Sequence, residues 1–162
     1  MAGVFPPRAR QLEFALAVII IATVSAILID RLHSLQEDAE RLMVESTVRN
    51  INSGLMLHMA TLVAAQRESE LPGLVQKSPA DWLERVPDDY REVIHCEDAM
   101  SPGAWCWEKP TKRLYYRPRL HDGLKIEGNM PFLVWTLRWP GAVSEIRPGA
   151  LRMEPVQDYH WK

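Results

Sequence analysis

The stretch that decides the fold is Leu12–Ile29, with the sequence LEFALAVIIIATVSAILI. It is apolar apart from one carboxylate, Glu13, and two hydroxyl side chains. Its eighteen residues (12 to 29) would rise about 27 Å in an α-helix, which is close to the hydrocarbon thickness of a bilayer. We therefore predict a transmembrane helix over residues 12–29, preceded by a short leader over residues 1–11.

The charges that flank this stretch predict its orientation. Arg8 and Arg10 precede it, and no acidic residue lies between them and Met1. The positive-inside rule keeps such an end in the cytoplasm, so the chain from Asp30 onward is expected on the other side of the membrane.

A cleaved signal peptide is the alternative interpretation of the same stretch. Small residues at Val24-Ser25-Ala26 would suit a signal peptidase, which would leave a chain that starts near Ile27. However, the apolar run continues past Ala26 to Ile29, and Glu13 stands at its beginning, where a signal has no use for a carboxylate. A retained anchor is therefore favoured.

Residues 30–70 are predicted to continue the anchor as an amphipathic helix. Apolar residues recur at steps of three and four in two stripes, the first being Leu28, Leu32, Leu35, Ala39 and Leu42 and the second Val44, Val48, Ile51, Leu55, Met59 and Leu62. The stripes are about half a turn out of phase at 100° per residue, so they should have different partners. A break near Met43–Glu45 is the alternative, but no proline or glycine falls there.

From Tyr90 onward the apolar period changes to two, which predicts strands. The candidates are Glu92–Cys96, Ala104–Glu108, Arg113–Arg117, Phe132–Trp139 and Leu151–Val156. A short helix is predicted at Asp81–Arg85, behind the cap Ser78-Pro79-Ala80-Asp81.

The strands are expected to form one small antiparallel sheet with an apolar face. Such a face needs a cover, and the second helical stripe is the only long apolar surface available. We therefore predict an α+β fold, in which a long N-terminal helix, transmembrane and then amphipathic, packs on a small antiparallel β-sheet. The sheet domain spans residues 71–162 and packs on residues 44–66. The tryptophans are expected in this core, and a ligand platform or an interfacial belt is the alternative.

Cys96 and Cys106 are the two cysteines of the chain. Across the membrane, in an oxidising compartment, they would close a short loop as a disulfide. Two free buried thiols are the alternative. A zinc site lacks ligands, because His95 adjoins Cys96 but no second Cys/His pair exists.

The sequence carries no pattern that predicts an enzyme, a cofactor or a metal site. The net charge of −2 gives no basic surplus for nucleic acid. The five histidines are scattered, and no phosphate-binding, dinucleotide-binding or nucleophile-elbow motif is present. Calcium at the acidic pairs Asp88-Asp89 and Glu97-Asp98 is a lesser alternative, since adjacent carboxylates more often are solvated loop charges.

Several segments carry a resemblance to a known family, and Asp81–Leu83 and Pro87–Tyr90 fit its pattern along with the segments that follow. Gln11-Leu12-Glu13-Phe14 followed by the apolar run resembles the tail of the prepilin signature, with Glu13 as the family glutamate, and Asp30–Arg41 resembles the start of the solvent-side helix. Pro102–Trp107, with Leu114–Pro118 after it, is similar to a strand pair of pilin-like proteins. The chain thus resembles type IV pilins and type II secretion pseudopilins. The resemblance implies a single-pass protein of the bacterial inner membrane, with a cytoplasmic N-terminus, a periplasmic domain and protein partners.

The sequence departs from the family pattern at four positions. Arg8 stands where prepilin peptidase expects a glycine, Ala9 and Arg10 replace the aromatic residue and the threonine that follow the cut, and Asp30 replaces a common proline. Without cleavage, Glu13 must pair with another cation, such as Arg10 of a neighbour, stay protonated, or reach the headgroups. We take Glu13, Arg10 and Asp30 as candidate assembly residues.

The resemblance implies a non-enzymatic subunit or accessory protein of a type IV pilus or type II secretion machine. Its partners would be other pilin-like subunits or the inner-membrane assembly platform, reached by lateral helix packing. The alternative is a non-processed bitopic inner-membrane protein with a periplasmic domain that binds a ligand or another protein.

Overall fold

The computed structural model of the protein describes residues 7–98, 100–120, 123–128, 130–139 and 151–161, with side chains from residue 11 onward. The chain begins with helix α1, Pro7–Ala64. It forms two compact units, Met1–Ala39 and Glu40–Lys162, and α1 contributes to both.

Helix α1 is unbroken at Met43–Glu45, so the alternative of two separate helices is wrong. The helix ends where Gln66 adopts a left-handed backbone with φ of 56°. The Gln66 N–H donates to the Val63 carbonyl (2.9 Å) and the Arg67 N–H to the Leu62 carbonyl (2.8 Å), which together form a Schellman motif. The helix therefore ends at Ala64, six residues before the predicted end at residue 70.

Two 3-10 helices follow, Glu68–Gln76 and Pro79–Trp82. The second is capped by Ser78, whose Oγ accepts a hydrogen bond from the Ala80 N–H at 3.3 Å. The cap is the one expected from the sequence. The helix behind it is the single turn Pro79–Trp82 in place of the predicted Asp81–Arg85.

The described residues after these helices form seven short strands in two sheets. They are β1 Tyr90–Val93, β2 Trp105–Glu108, β3 Arg113–Tyr116, β4 Leu124–Ile126, β5 Leu133–Arg138, β6 Arg152–Pro155 and β7 Tyr159–Trp161. One sheet has the order β1-β2-β3-β5-β6, and β4 pairs with β7 in a second sheet. Four of the five predicted strands are present within one residue of their predicted ends, whereas the predicted Glu92–Cys96 overlaps the observed Tyr90–Val93 only at Glu92 and Val93. The pair β4–β7 was not predicted, because each strand has three residues, too few to show a period of two.

The larger sheet differs from the predicted antiparallel sheet at one edge. Strands β1 and β2 run parallel, with Tyr90 opposite Trp105 and Val93 opposite Glu108, whereas the other neighbours are antiparallel. A parallel pair requires a crossover connection, which residues 94–104 supply. Side-chain alternation is the same in both directions, so the sequence pattern does not distinguish them.

The predicted cover of the sheet is confirmed within the second unit. The second stripe of α1 is buried in one core with the sheet residues Trp105, Trp107, Leu114, Tyr116, Leu133, Trp135, Leu137 and Met153. Trp105 lies at its centre, with its ring centroid 4.7 Å from that of Tyr116 and 5.6 Å from that of Trp135. The prediction that the tryptophans pack in the core is therefore confirmed for Trp105, Trp107 and Trp135, and the ligand-platform alternative is wrong for these three.

The opposite face of the sheet carries a smaller apolar cluster of its own. It consists of Cys96, Met100, Cys106, Tyr115, Phe132 and Val134. The sequence pattern predicted one apolar face, but the crossover 94–104 lies against the other face and buries these side chains. Trp105 and Cys106 point to opposite faces, as the alternation predicts.

Asn52 of α1 closes the β6 edge of the sheet. Its Oδ1 accepts a hydrogen bond from the Met153 N–H at 2.7 Å, and its Nδ2 donates to the Met153 carbonyl at 3.4 Å. An edge strand otherwise presents unpaired backbone groups to water and to other chains. The helix thus holds the sheet by a polar contact in addition to the apolar stripe.

Gly54 allows the turn Pro79–Trp82 to approach the helix. A Cβ at position 54 would lie 1.9 Å from the Trp82 carbonyl oxygen and 2.9 Å from its carbonyl carbon. We expect Gly54→Ala to lower the free energy of unfolding by about 1–3 kcal/mol, because the backbone of the turn must move away. Chemical unfolding followed by tryptophan fluorescence measures this change.

Gly73→Ala is the matched control for this substitution. A Cβ at position 73 would meet nothing within 4 Å, so the change should be neutral or stabilising by about 0.4–1 kcal/mol. Equal unfolding free energies for the Gly54→Ala and Gly73→Ala proteins would contradict the close approach of Trp82 to the helix.

Candidate functional site

The first unit offers an apolar helical surface. Every side chain from residue 11 to residue 36 is exposed, including the large apolar ones, such as Phe14 at 72% and Ile21 at 65%. Within the described residues, α1 is long and apolar enough to cross a membrane, and none of its most apolar window is buried in the protein. Such a surface is suited to contact with lipid or with other apolar helices.

The predicted assembly residues lie on this helix without being brought together. Glu13 and Asp30 are both exposed, and their separation of 17 positions (30 minus 13) corresponds to a rise of about 25 Å. The side chain of Arg10 lies outside the described residues. Glu13 is the one charged residue between positions 11 and 29, so a partner for it must come from outside this segment or from the headgroups.

The second unit begins with a buried carboxylate, Glu40, which the sequence analysis did not single out. Its side chain accepts three hydrogen bonds, from the Tyr116 hydroxyl (2.6 Å), the Arg119 N–H (2.6 Å) and the Leu120 N–H (3.0 Å). The side chain of residue 40 thus fixes the start of the packed part of α1 to strand β3 and to the loop that follows it.

The contact with Glu40 also changes the chemistry of Tyr116. The pKa of the Tyr116 hydroxyl is raised well above its usual range. Burial is the largest cause, and the hydrogen bond to Glu40 and the negative charge of Glu40 add to it. The hydroxyl is therefore a proton donor throughout the physiological range. Among the described residues, the hydrogen-bond donors to Glu40 are all uncharged: one hydroxyl and two backbone N–H groups.

One signal in the sequence points to Glu40. Residues 44, 51 and 55 define the buried stripe of the helix, and a step of four residues back from Val44 reaches position 40. The stripe therefore predicts burial of position 40. A charged residue on a buried face needs hydrogen-bonding partners. Two partners of Glu40 belong to a loop about 80 residues later in the sequence, and no local sequence pattern indicates where that loop lies.

The predicted disulfide between Cys96 and Cys106 is confirmed, with Cα atoms 5.8 Å apart. It ties the crossover to β2 and is buried in the smaller apolar cluster. Glu108 lies beside it and accepts hydrogen bonds from the Cys96 N–H (3.4 Å), the Tyr115 hydroxyl (3.3 Å) and the Thr111 hydroxyl. These are all donors from neutral groups, so Glu108 organises the hairpin and the crossover around the disulfide.

No group of three or more His, Cys, Asp or Glu side chains within the described parts of the chain is placed to hold a metal ion. The acidic pairs Asp88-Asp89 and Glu97-Asp98, which the sequence analysis considered for calcium, therefore belong to no such group among the described residues. Asp89 lies 3.9 Å from an Arg119 nitrogen, and both side chains are exposed.

Comparison with known proteins adds no relative to this description. Neither a protein-family model, nor a curated protein, nor a solved structure matches the chain at a significant level.

The Glu40 anchor is tested by a change that keeps its shape. Glu40→Gln removes the charge and replaces one acceptor oxygen by an NH₂ group, which leaves a buried donor facing another donor. We expect the free energy of unfolding to fall by about 1–3 kcal/mol, the usual effect of losing charge-assisted hydrogen bonds at a buried site. Denaturant unfolding in non-ionic detergent provides the measurement.

Asp38→Asn is the control, because it makes the same carboxylate-to-amide change at an exposed position of the same helix. It should change the unfolding free energy by no more than about 0.5 kcal/mol. If the Glu40→Gln and Asp38→Asn proteins are equally stable, Glu40 does not anchor the loop.

Proposed function

We propose that the protein is a non-enzymatic, pilin-like subunit or accessory protein of a type IV pilus or type II secretion machine. It acts by lateral packing of α1 against the helices of other pilin-like subunits or of the inner-membrane assembly platform. The observation that carries the proposal is that the two parts of α1 differ in burial. Residues 44–62 bury one stripe on the sheet, whereas residues 11–36 have every side chain exposed.

The exposed side of α1 in the second unit also supports the proposal. Leu42, Met56 and Leu57 are exposed at 64%, 62% and 70%, on the side of the helix away from the buried stripe. Leu42 and Met56 are fourteen positions apart, which places them on one face of the helix, and the exposed Arg49 lies between them on that face. Apolar side chains on the free face of a helix that already packs on its sheet suit contact with a further helix.

Glu13 has the chemistry to direct this packing. A lone carboxylate within an apolar helical segment costs free energy unless it meets a cation or a hydrogen-bond donor. A neighbouring subunit that presents a cation at this depth would relieve that cost and fix the axial offset between the two helices. The family to which the chain bears a resemblance uses a glutamate at the corresponding place.

We expect Glu13→Ala to leave the protein in the membrane but to lower the recovery of pilin-like partners at least about tenfold, since a charge pair in an apolar medium is lost. The measurement is affinity purification from cross-linked membranes of the native cell, with the recovered proteins identified by mass spectrometry. Glu68→Ala, a charge-matched change at an exposed residue of the first 3-10 helix, serves as the control. Equal recovery from the Glu13→Ala and Glu68→Ala proteins would exclude the packing role of Glu13.

A non-processed, bitopic inner-membrane protein with a periplasmic binding domain is the second candidate. Arg8 favours it, because this residue stands where prepilin peptidase requires glycine. The mass of the N-terminal peptide from membrane-extracted protein separates the two. A start at Ala9 supports a processed, filament-competent subunit, an intact start supports the bitopic protein or a non-processed accessory protein, and a start near Ile27 contradicts both anchored forms.

A further inference from the structure

A cavity of about 420 Å³ opens beside residues 117–119, in the loop that Glu40 holds. Most of its lining is apolar and consists of Leu124, Ile126, Met130 and three prolines. Arg117 and Arg119 also line it. Among the residues that the structure describes, no acidic side chain lines the cavity, and its volume falls in the range of small-ligand sites.

Arg117 is held in place without neutralisation of its charge. Its Nη1 donates a hydrogen bond to the Met100 carbonyl at 2.6 Å, and the side chain is half-buried. A carbonyl orients the guanidinium but carries no net charge. This bond uses one of the five guanidinium N–H donors, and no acidic side chain among the described residues forms an ion pair with Arg117.

Arg119 is held at two points, its backbone N–H and its guanidinium group. Its own N–H donates to Glu40, and its guanidinium lies against Gly103, where a Cβ would be 2.0 Å from Arg119 Nε. Gly103 has φ of 86°, so glycine suits this position both conformationally and sterically. Among the described residues, Asp89 is the acidic residue that pairs with Arg119, at 3.9 Å, and an exposed pair of this kind contributes little.

We propose that this cavity binds an extended peptide segment of a partner protein, in which a carboxylate stands next to an aliphatic side chain. The two arginines present fork-shaped donors, whose geometry matches a carboxylate. The apolar lining residues Leu124, Ile126 and Met130 accept the aliphatic side chain. Among the described residues, no aromatic side chain lines the cavity to stack a base or a sugar.

This inference goes beyond the proposed assembly function and does not depend on it. The site lies wholly within the second unit, whereas Glu13 lies in the first. A chain that never enters a filament could still bind a partner here. Conversely, failure of peptide binding would leave the role of Glu13 untouched.

The test is a titration of the full chain in non-ionic detergent with N-acetyl-leucyl-leucine, followed by the NMR signals of the arginine Nε–H groups. The free carboxylate should bind about tenfold to a hundredfold more tightly than the same dipeptide amide, since charge-assisted hydrogen bonds are lost in the amide. The signal of Arg119 should move during the titration, and a rise in salt should weaken the binding.

Arg119→Gln should weaken binding of the carboxylate dipeptide at least about tenfold while keeping the N–H bond to Glu40. Arg138→Gln is the matched control, because Arg138 is equally exposed (67% against 64%) and has a similarly long ion pair, with Glu154 at 3.8 Å. Arg119→Lys should recover part of the affinity, since it keeps the charge and loses the fork.

Three outcomes would overturn the proposal. The first is equal affinity for the carboxylate and the amide dipeptides, and the second is equal weakening by Arg119→Gln and Arg138→Gln. The third is a stronger response of Arg119 to dihexanoyl phosphatidylglycerol than to the dipeptide, which would assign the cavity to a lipid headgroup.

Discussion

The second unit depends on one contact, the burial of the helical stripe Val44–Leu62 against three tryptophans of the sheet. Trp105, Trp107 and Trp135 are each no more than 2% exposed. Each large apolar side chain buried in this way contributes about 1.5–3 kcal/mol. Without the helix, the tryptophan rings of the sheet would be exposed to water. Without the sheet, the apolar stripe of the helix would be exposed to water.

Apolar burial alone does not fix where along its axis the helix sits, because an apolar stripe can slide by one turn at small cost. Three local contacts remove that freedom. Glu40 ties the start of the packed segment to Arg119 and Leu120, Asn52 bonds to the edge of β6, and Gly54 admits the backbone of Trp82. Polar and steric contacts thus give the position, and apolar burial supplies most of the stabilisation.

The candidate functional residues differ in how easily they can be recognised from the sequence alone. Glu13 stands out because a carboxylate is unusual in an apolar run, and Cys96 and Cys106 stand out because they are the two cysteines. Glu40 sits among other charged residues of a helix and does not stand out, although its place on the buried stripe is a usable signal. Its importance arises from backbone N–H groups of residues 119 and 120, and backbone donors leave no mark in a sequence.

The sequence by itself determined the elements and their inner and outer faces: the continuous helix, its two stripes, five of the seven strands, the pairing of the cysteines and the cover of the sheet by residues 44–62. These follow from periodicity and composition, which are local properties. Only the tertiary structure decided the parallel β1–β2 pair, the sheet β4–β7, the second apolar cluster around the disulfide, and the cavity at Arg117 and Arg119. Each of these depends on where a loop crosses in space, and alternation along a strand is the same whichever neighbour it meets.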